Sequence, residues 1–176
     1  MDARRFAALS DPFPMWRGGL LHGGRIAYET WGTLSAARDN ALLLFTGLSP
    51  PAHAAASVQD PSDGWWQGMA GPKLAIDTER YFVISPNVVG GCMGSSGPAS
   101  TNAATGLPWG LDFPVITVRD MVRAQAMLLD HLGIETLFAV AGGSMPASIL
   151  RRCRSPIRPT ARSTPRERTR CWFVTR

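Results

Sequence analysis

Ser144 stands in AVAGGSM, residues 139–145, where an apolar run ends in two glycines and a serine. A serine at the end of a buried strand, just before a helix, can serve as a nucleophile. In the GxSxG elbow the chain turns so sharply that the serine side chain projects from the carboxyl edge of the sheet. Glycines flank such a serine because neighbouring side chains would collide in the turn. Gly142 occupies the first glycine position, and Pro146 stands where the second is wanted. Proline withholds an N–H there, although a helix tolerates it in its first turn. On spacing alone an ordinary Gly-Gly-Ser turn explains the stretch better.

A serine hydroxyl is a poor nucleophile without a base, and the oxyanion formed by its attack on a carbonyl needs two N–H donors. In an elbow enzyme the second donor comes from the loop after an earlier central strand. The stretch ALLLFTGLSPPAHA, residues 41–54, offers such a strand and loop. Its first part, 41–47, is a continuous apolar run closed by glycine, and RYFVISPN, residues 80–87, is a second run ended by Pro86. Both suit strands buried on two faces of a parallel sheet.

Residues 117–133, TVRDMVRAQAMLLDHLG, predict a helix with Thr117 as N-cap, Asp120 as the acidic third residue and Gly133 as the stop. Its apolar positions are Val118, Met121, Val122, Leu128, Leu129 and Leu132. TLFAVAG, 136–142, predicts another buried strand, and GGLLHGGRIAYETWG predicts a hairpin of two short strands about Gly23-Gly24. Strand, long loop, strand, helix, strand is the order of an α/β fold with a mostly parallel sheet and flanking helices.

The net charge of +5 is unevenly placed. Residues 1–145 hold nine Lys and Arg against twelve Asp and Glu, whereas residues 146–176 hold nine Arg against one Glu. The basicity therefore belongs to the tail alone, which excludes reading the whole protein as nucleic-acid binding. A second class of function, a binding module whose tail pairs with phosphates, lacks a nucleic-acid motif and the interleaved aromatics that would support it. Two regions are expected: a partial α/β domain over 1–145, and an Arg/Pro-rich tail over 146–176 whose composition cannot bury a core. The same bias arises when a GC-rich gene is read in the wrong frame, so a frameshift near codon 146 is expected. Translating the other two frames of the DNA tests it. Without that continuation, the strand at 136–142 is left as an unprotected edge.

Three widely spaced cysteines, Cys92, Cys153 and Cys171, fit neither a disulfide framework nor a zinc site, so a reducing, cytoplasmic setting is expected and no metal. There is no 18-residue apolar run, hence no expected membrane span.

AYETWGTL, RDNALLLFTGLSPPAHA, GWWQGMAGP, AIDTERYFVISPN, GGCMGSSGPAS, TGLPWGLDFP, the helix segment and AVAGGSM occur in this order over residues 13–145. Together they resemble the homoserine and serine O-acyltransferases of the α/β-hydrolase fold; the tail resembles nothing in that family. The resemblance implies that Ser144 is the nucleophile and that the backbone N–H groups of Leu48 and Met145 form the oxyanion hole. It implies acyl transfer from an acyl-CoA co-substrate, succinyl-CoA or acetyl-CoA, to the side-chain hydroxyl of L-serine or L-homoserine, with no bound cofactor. It also implies amino-acid biosynthesis, small-molecule partners and a homodimer for the full-length family. GLSPPAHA looks like the loop of serine-succinylating members. An esterase of the same fold is the alternative enzyme.

In this fold the acid and the histidine follow the nucleophile far downstream, where this chain has its arginine-rich tail, so the chain is expected to be inactive. His131 reads as a partner of the helix's negative end and His22 as exposed. Ser49, Pro50 and His53 are the candidate substrate-binding residues, with His53 open between a water-satisfied loop histidine and a shaper of the acceptor pocket. GGCMGSSG lacks the lysine of a P-loop and the dinucleotide spacing, and reads as a tight loop beside the site. Trp65 and Trp66 read as core rather than pocket wall. Cys92 reads as inert.

Overall fold

The computed structural model of the protein describes residues 2–142. Ser144, Met145 and the 146–176 segment lie outside the described residues, and so do the expectations placed on them.

Among the described residues there are nine strands: β1 Arg5–Ala8, β2 Phe13–Pro14, β3 Leu20–Leu21, β4 Arg25–Trp31, β5 Ala41–Phe45, β6 Ala70–Gly71, β7 Ile76–Asp77, β8 Phe82–Pro86 and β9 Ala139–Gly142. Helix α1, Val118–His131, connects β8 to β9. The main sheet has the order β1-β4-β8-β5-β9. β4 is antiparallel to both its neighbours, and β5 is parallel to β8 and β9. Four strands therefore run one way and only β4 is reversed, as expected of a mostly parallel sheet.

All five residues of β5 are buried, because both faces of the sheet are covered. Leu43 and Phe45 join the core under α1 with Ile26, Tyr28, Ile84, Ala124, Leu128 and Val140. Leu42 and Leu44 point the other way, into a second core with Trp31, Val83, Ala54, Ala55 and Ile76. Alternation in a strand puts successive side chains on opposite faces, so an unbroken Leu run serves both layers. Each fully buried Leu contributes roughly 1.5–3 kcal/mol. Flanking helices were expected, and α1 covers one face. Among the described residues the second face is covered instead by the alanine-rich segment 52–56 and the small β6–β7 pair.

Helix α1 has the predicted ends. Thr117 caps it with a reciprocal Asp120 box, and the Asp120 carboxylate also accepts the Trp16 N–H at 2.8 Å, tying the N-terminal segment to the helix. At the other end the Gly133 and Ile134 N–H groups donate to the Asp130 and Leu129 carbonyls at 3.0 and 2.9 Å. This closure needs a residue at positive φ, and Gly133 adopts +68°. The Arg38 guanidinium donates to the Gly133 carbonyl, a cation at the helix's negative end.

The expected hairpin about Gly23-Gly24 is corrected. Strands flank the turn, but β3 pairs with β2 in a separate two-stranded sheet, while β4 pairs with β1 and β8. β4 is buried along most of its length and both its edges are taken, so no edge is left for β3. The predicted strand 136–142 is shorter than expected, 139–142, and is the outermost strand of the described sheet.

Candidate active site

The carboxyl ends of β5 and β9 lie side by side. Their parallel register pairs Leu42 with Ala139 and, at the last rung, Phe45 with Gly142. The chain after β5 therefore begins its loop level with the point where β9 ends, two residues before Ser144 in sequence. At this edge a cavity of about 370 Å³ is lined by Phe45, Gly47, Leu48, Ser49, Pro50, Trp65 and Trp66.

Three side chains fix the cavity loop. Thr46, fully buried, donates its hydroxyl to the Pro86 carbonyl at 3.0 Å. Asn87, the buried residue after β8, donates its amide to the Pro50 carbonyl at 3.0 Å and accepts the Ser95 N–H at 3.2 Å. Trp65 donates its indole N–H to the Pro51 carbonyl at 3.1 Å. The loop is thus held from the sheet on one side and from the aromatic wall on the other. Among the described residues, the Leu48 N–H donates to no acceptor.

The wall itself is a stacked pair, Trp65 and Trp66, with ring centroids 5.0 Å apart. Their backbone N–H groups donate to the His53 and Ala54 carbonyls at 3.3 and 2.8 Å. Gly64 makes this approach possible, since a Cβ there would overlap the Ala54 and Ala55 backbone. The pair packs on the second core and also faces the cavity. The core reading of these tryptophans is therefore half the truth. The missed signal is the glycine before them, which marks a backbone approached closely by another segment.

Of the expected site residues, Leu48, Ser49 and Pro50 come together on the cavity. His53 is set apart from it. Its Nδ1 lies 2.9 Å from a Glu29 carboxylate oxygen, and its Nε2 lies 2.9 Å from the Ser62 carbonyl. It is not the water-satisfied loop histidine that the sequence left open. Glu29 is buried in β4, and burial lifts its carboxyl above the usual 4.5 against the pull of His53. Burial by itself draws the His53 ring down. The Ser62 carbonyl and the Glu29 carboxylate outweigh it, so the ring titrates above its usual 6.5.

The other two histidines are elsewhere. His22 is exposed and 3.1 Å from Asp11. His131, in the last turn of α1, meets the Tyr28 ring edge-on at 6.5 Å between centroids. The Gly90–Gly97 stretch lies beside the cavity loop, Gly91 approaching the Leu48 carbonyl. Its Ser95 and Ser96 hydroxyls accept the Ala27 and Arg25 N–H groups of β4 at 2.9 Å each, so they close the sheet rather than cradle a phosphate. Cys92 is exposed, with no disulfide partner among the described residues. Among the described residues there is no cluster of metal-ligating side chains, and no helix is long and apolar enough to cross a membrane.

A strand-loop cavity at the carboxyl edge of such a sheet, beside the strand that leads into Gly-Gly-Ser, defines the N-terminal part of an α/β-hydrolase fold. Solved structures agree. Esterase E22 superposes with a TM-score of 0.76 at 37% identity, over 83% of this chain and 42% of that one. Homoserine O-acetyltransferase from Bacillus anthracis superposes with 0.75 at 33% identity, over 86% and 43%. No protein-family model matches the chain. Among curated proteins, a serine O-succinyltransferase of Stenotrophomonas maltophilia (strain K279a) is 57% identical over 141 residues, 80% of this chain and 38% of the relative. One from Litchfieldella anticariensis is 58% identical over 144 residues, 82% of this chain and 39% of the relative. The matched segment is thus similar in sequence to proteins named serine O-succinyltransferase, and in fold to a homoserine O-acetyltransferase and to an esterase. The chain spans about two fifths of the length of these curated relatives.

Proposed function

We propose that this segment carries the nucleophile and oxyanion side of an O-acyltransferase site, transferring an acyl group from acyl-CoA to the hydroxyl of L-serine or L-homoserine. The observation that carries the reading is the Phe45–Gly142 register. It sets the end of β9, no more than about 7 Å of extended chain before Ser144, level with the loop bearing the Leu48 N–H. In this reading Ser144 Oγ attacks the thioester carbonyl while the Leu48 and Met145 N–H groups hold the oxyanion. CoA leaves as the thiol. The acceptor hydroxyl then attacks the acyl ester and the Ser144 hydroxyl is restored. Ser49 and Pro50, on the cavity, contact the substrate. The 52–58% identity to proteins named serine O-succinyltransferase favours succinyl-CoA and L-serine. A cytoplasmic biosynthetic enzyme working as a homodimer fits the reading.

The 176-residue chain itself is proposed to be inactive. Its three histidines are all described, and none lines the cavity.

The test compares this chain with a chimera continued after Met145 by the corresponding part of the Stenotrophomonas relative. The chimera is expected to release CoA thiol from succinyl-CoA only when L-serine is present, and Ser144→Ala to abolish the release. The chain alone is expected to release none. Acceptor-independent hydrolysis of p-nitrophenyl esters, without acceptor-dependent thiol release, would instead establish the esterase reading that the likeness to esterase E22 raises. Turnover by the chain alone would overturn its proposed inactivity.

A further inference from the structure

We propose that His53 is a positioning residue for this site: as an imidazolium it straps the 57–66 segment to β4 through Glu29 and so sets the Trp65–Trp66 wall of the cavity. This rests on the O-acyltransferase reading of that cavity.

The argument is a count of hydrogens. The Glu29 carboxylate and the Ser62 carbonyl are both acceptors, and each lies 2.9 Å from a different nitrogen of the ring. A neutral imidazole carries one N–H, so it would turn a lone pair on one of the two oxygens. With Glu29 ionised, only the doubly protonated ring satisfies both. Ser62 Oγ also lies 3.3 Å from Nε2, and the trio Ser62, His53, Glu29 has the outline of a nucleophile, base and acid. It is not one. The Nε2 hydrogen is directed at the Ser62 carbonyl, and the serine hydroxyl donates to Asp60 at 2.7 Å. No lone pair of the ring is left to take a proton from that serine.

The strap reaches the cavity through two short connections. His53 and Ala54 accept the backbone N–H groups of Trp65 and Trp66. Ser62, held by the ring, is three residues from Trp65 and two residues after the turn closed by the Ser57 N–H to Asp60 carbonyl bond at 2.7 Å, and its hydroxyl donates back to the Asp60 carboxylate of that turn. The charged groups around the ring are Glu29 on β4 and Asp60 on the turn, and Asp2 stands within the field of Glu29. Arg4 also feels Glu29 and is paired with Asp2. Glu29 and Asp60 both favour a cationic ring. When the proton leaves, one of the two 2.9 Å contacts turns repulsive and the turn loses its tie to the sheet.

The full chain tests this without any substrate. Imidazole ¹⁵N spectra across a pH titration are expected to show both His53 nitrogens protonated below pH 6.5. Tryptophan emission is expected to change with the same midpoint, above 6.5. Glu29→Gln is expected to lower that midpoint by about one unit or more, and His53→Gln to remove the emission step. A His53 with a single N–H below pH 6.5, or a tryptophan emission that stays flat while His53 titrates, would overturn the proposal. In the active chimera, the KM for the amino acid is expected to rise through the same midpoint while kcat holds. A fall in kcat alone counts against the strap. A chimera that transfers no acyl group while His53 titrates as stated would remove the acyltransferase reading and leave the strap in place.

Discussion

Replacing Asn87 by Ala removes the link between the sheet and the cavity loop. The side chain is fully buried and makes two bonds, to the Pro50 carbonyl and from the Ser95 N–H. Ser95 is 4% exposed, so its N–H would be left without an acceptor, which costs about 1–3 kcal/mol. The Pro50 carbonyl is half-buried and regains water, so its loss is about 0.5–1.5 kcal/mol. The void left by the amide adds to both. The expected destabilisation is roughly 2–4 kcal/mol. With a urea slope of about 2 kcal/mol per molar, the midpoint falls by about 1–2 M. The assay is urea unfolding followed by tryptophan fluorescence. The native emission should also shift to the red, because the loop that carries the Pro51 partner of Trp65 loosens. Asn102→Ala, which removes only a local bond to the Ala104 N–H, is the control, expected to change stability by less than about 1 kcal/mol. A midpoint for Asn87→Ala equal to that of the control would refute the reasoning.

Leu44→Ala, at a position buried between β8 and β9, is expected to cost about 2–5 kcal/mol, read by the same unfolding curve. Asp120→Ala strands the Trp16 and Thr117 N–H groups and is expected to cost more than Thr117→Ala, whose lost cap is worth about 1 kcal/mol. Equal losses would mean that the tie to Trp16 carries nothing. Because the folded-state pKa of His53 is raised, its contribution to stability is complete below pH 6.5 and is lost as pH climbs through the raised value. The urea midpoint of the wild type should fall over that window, and His53→Gln should flatten the fall.

Sequence periodicity and end signals were sufficient for α1, whose capping box and glycine stop lie within a few residues of each other. They were sufficient also for β5 and β8, where an unbroken apolar run can be satisfied only by a strand covered on both faces. The cavity loop was legible for the same reason, since it had to follow β5. Such patterns state that a residue is buried and leave open which edge or which layer receives it. That choice belongs to the packed sheet.

The tertiary structure therefore decided what sequence spacing could not. β3 turned to β2 because both edges of β4 were occupied, and among the described residues the second face of the sheet is closed by alanines, the β6–β7 pair and a tryptophan pair. Trp65 and Trp66 became a cavity wall because Gly64 let their backbone settle on Ala54 and Ala55. His53 lies in the loop that was expected to touch substrate, yet its ring turns away to a carboxylate 24 residues earlier in the chain and a carbonyl nine residues later. Local patterning determined the strands, the helix and the loop that carry the site. The long-range contacts, invisible in any short stretch, determined which side chains face it.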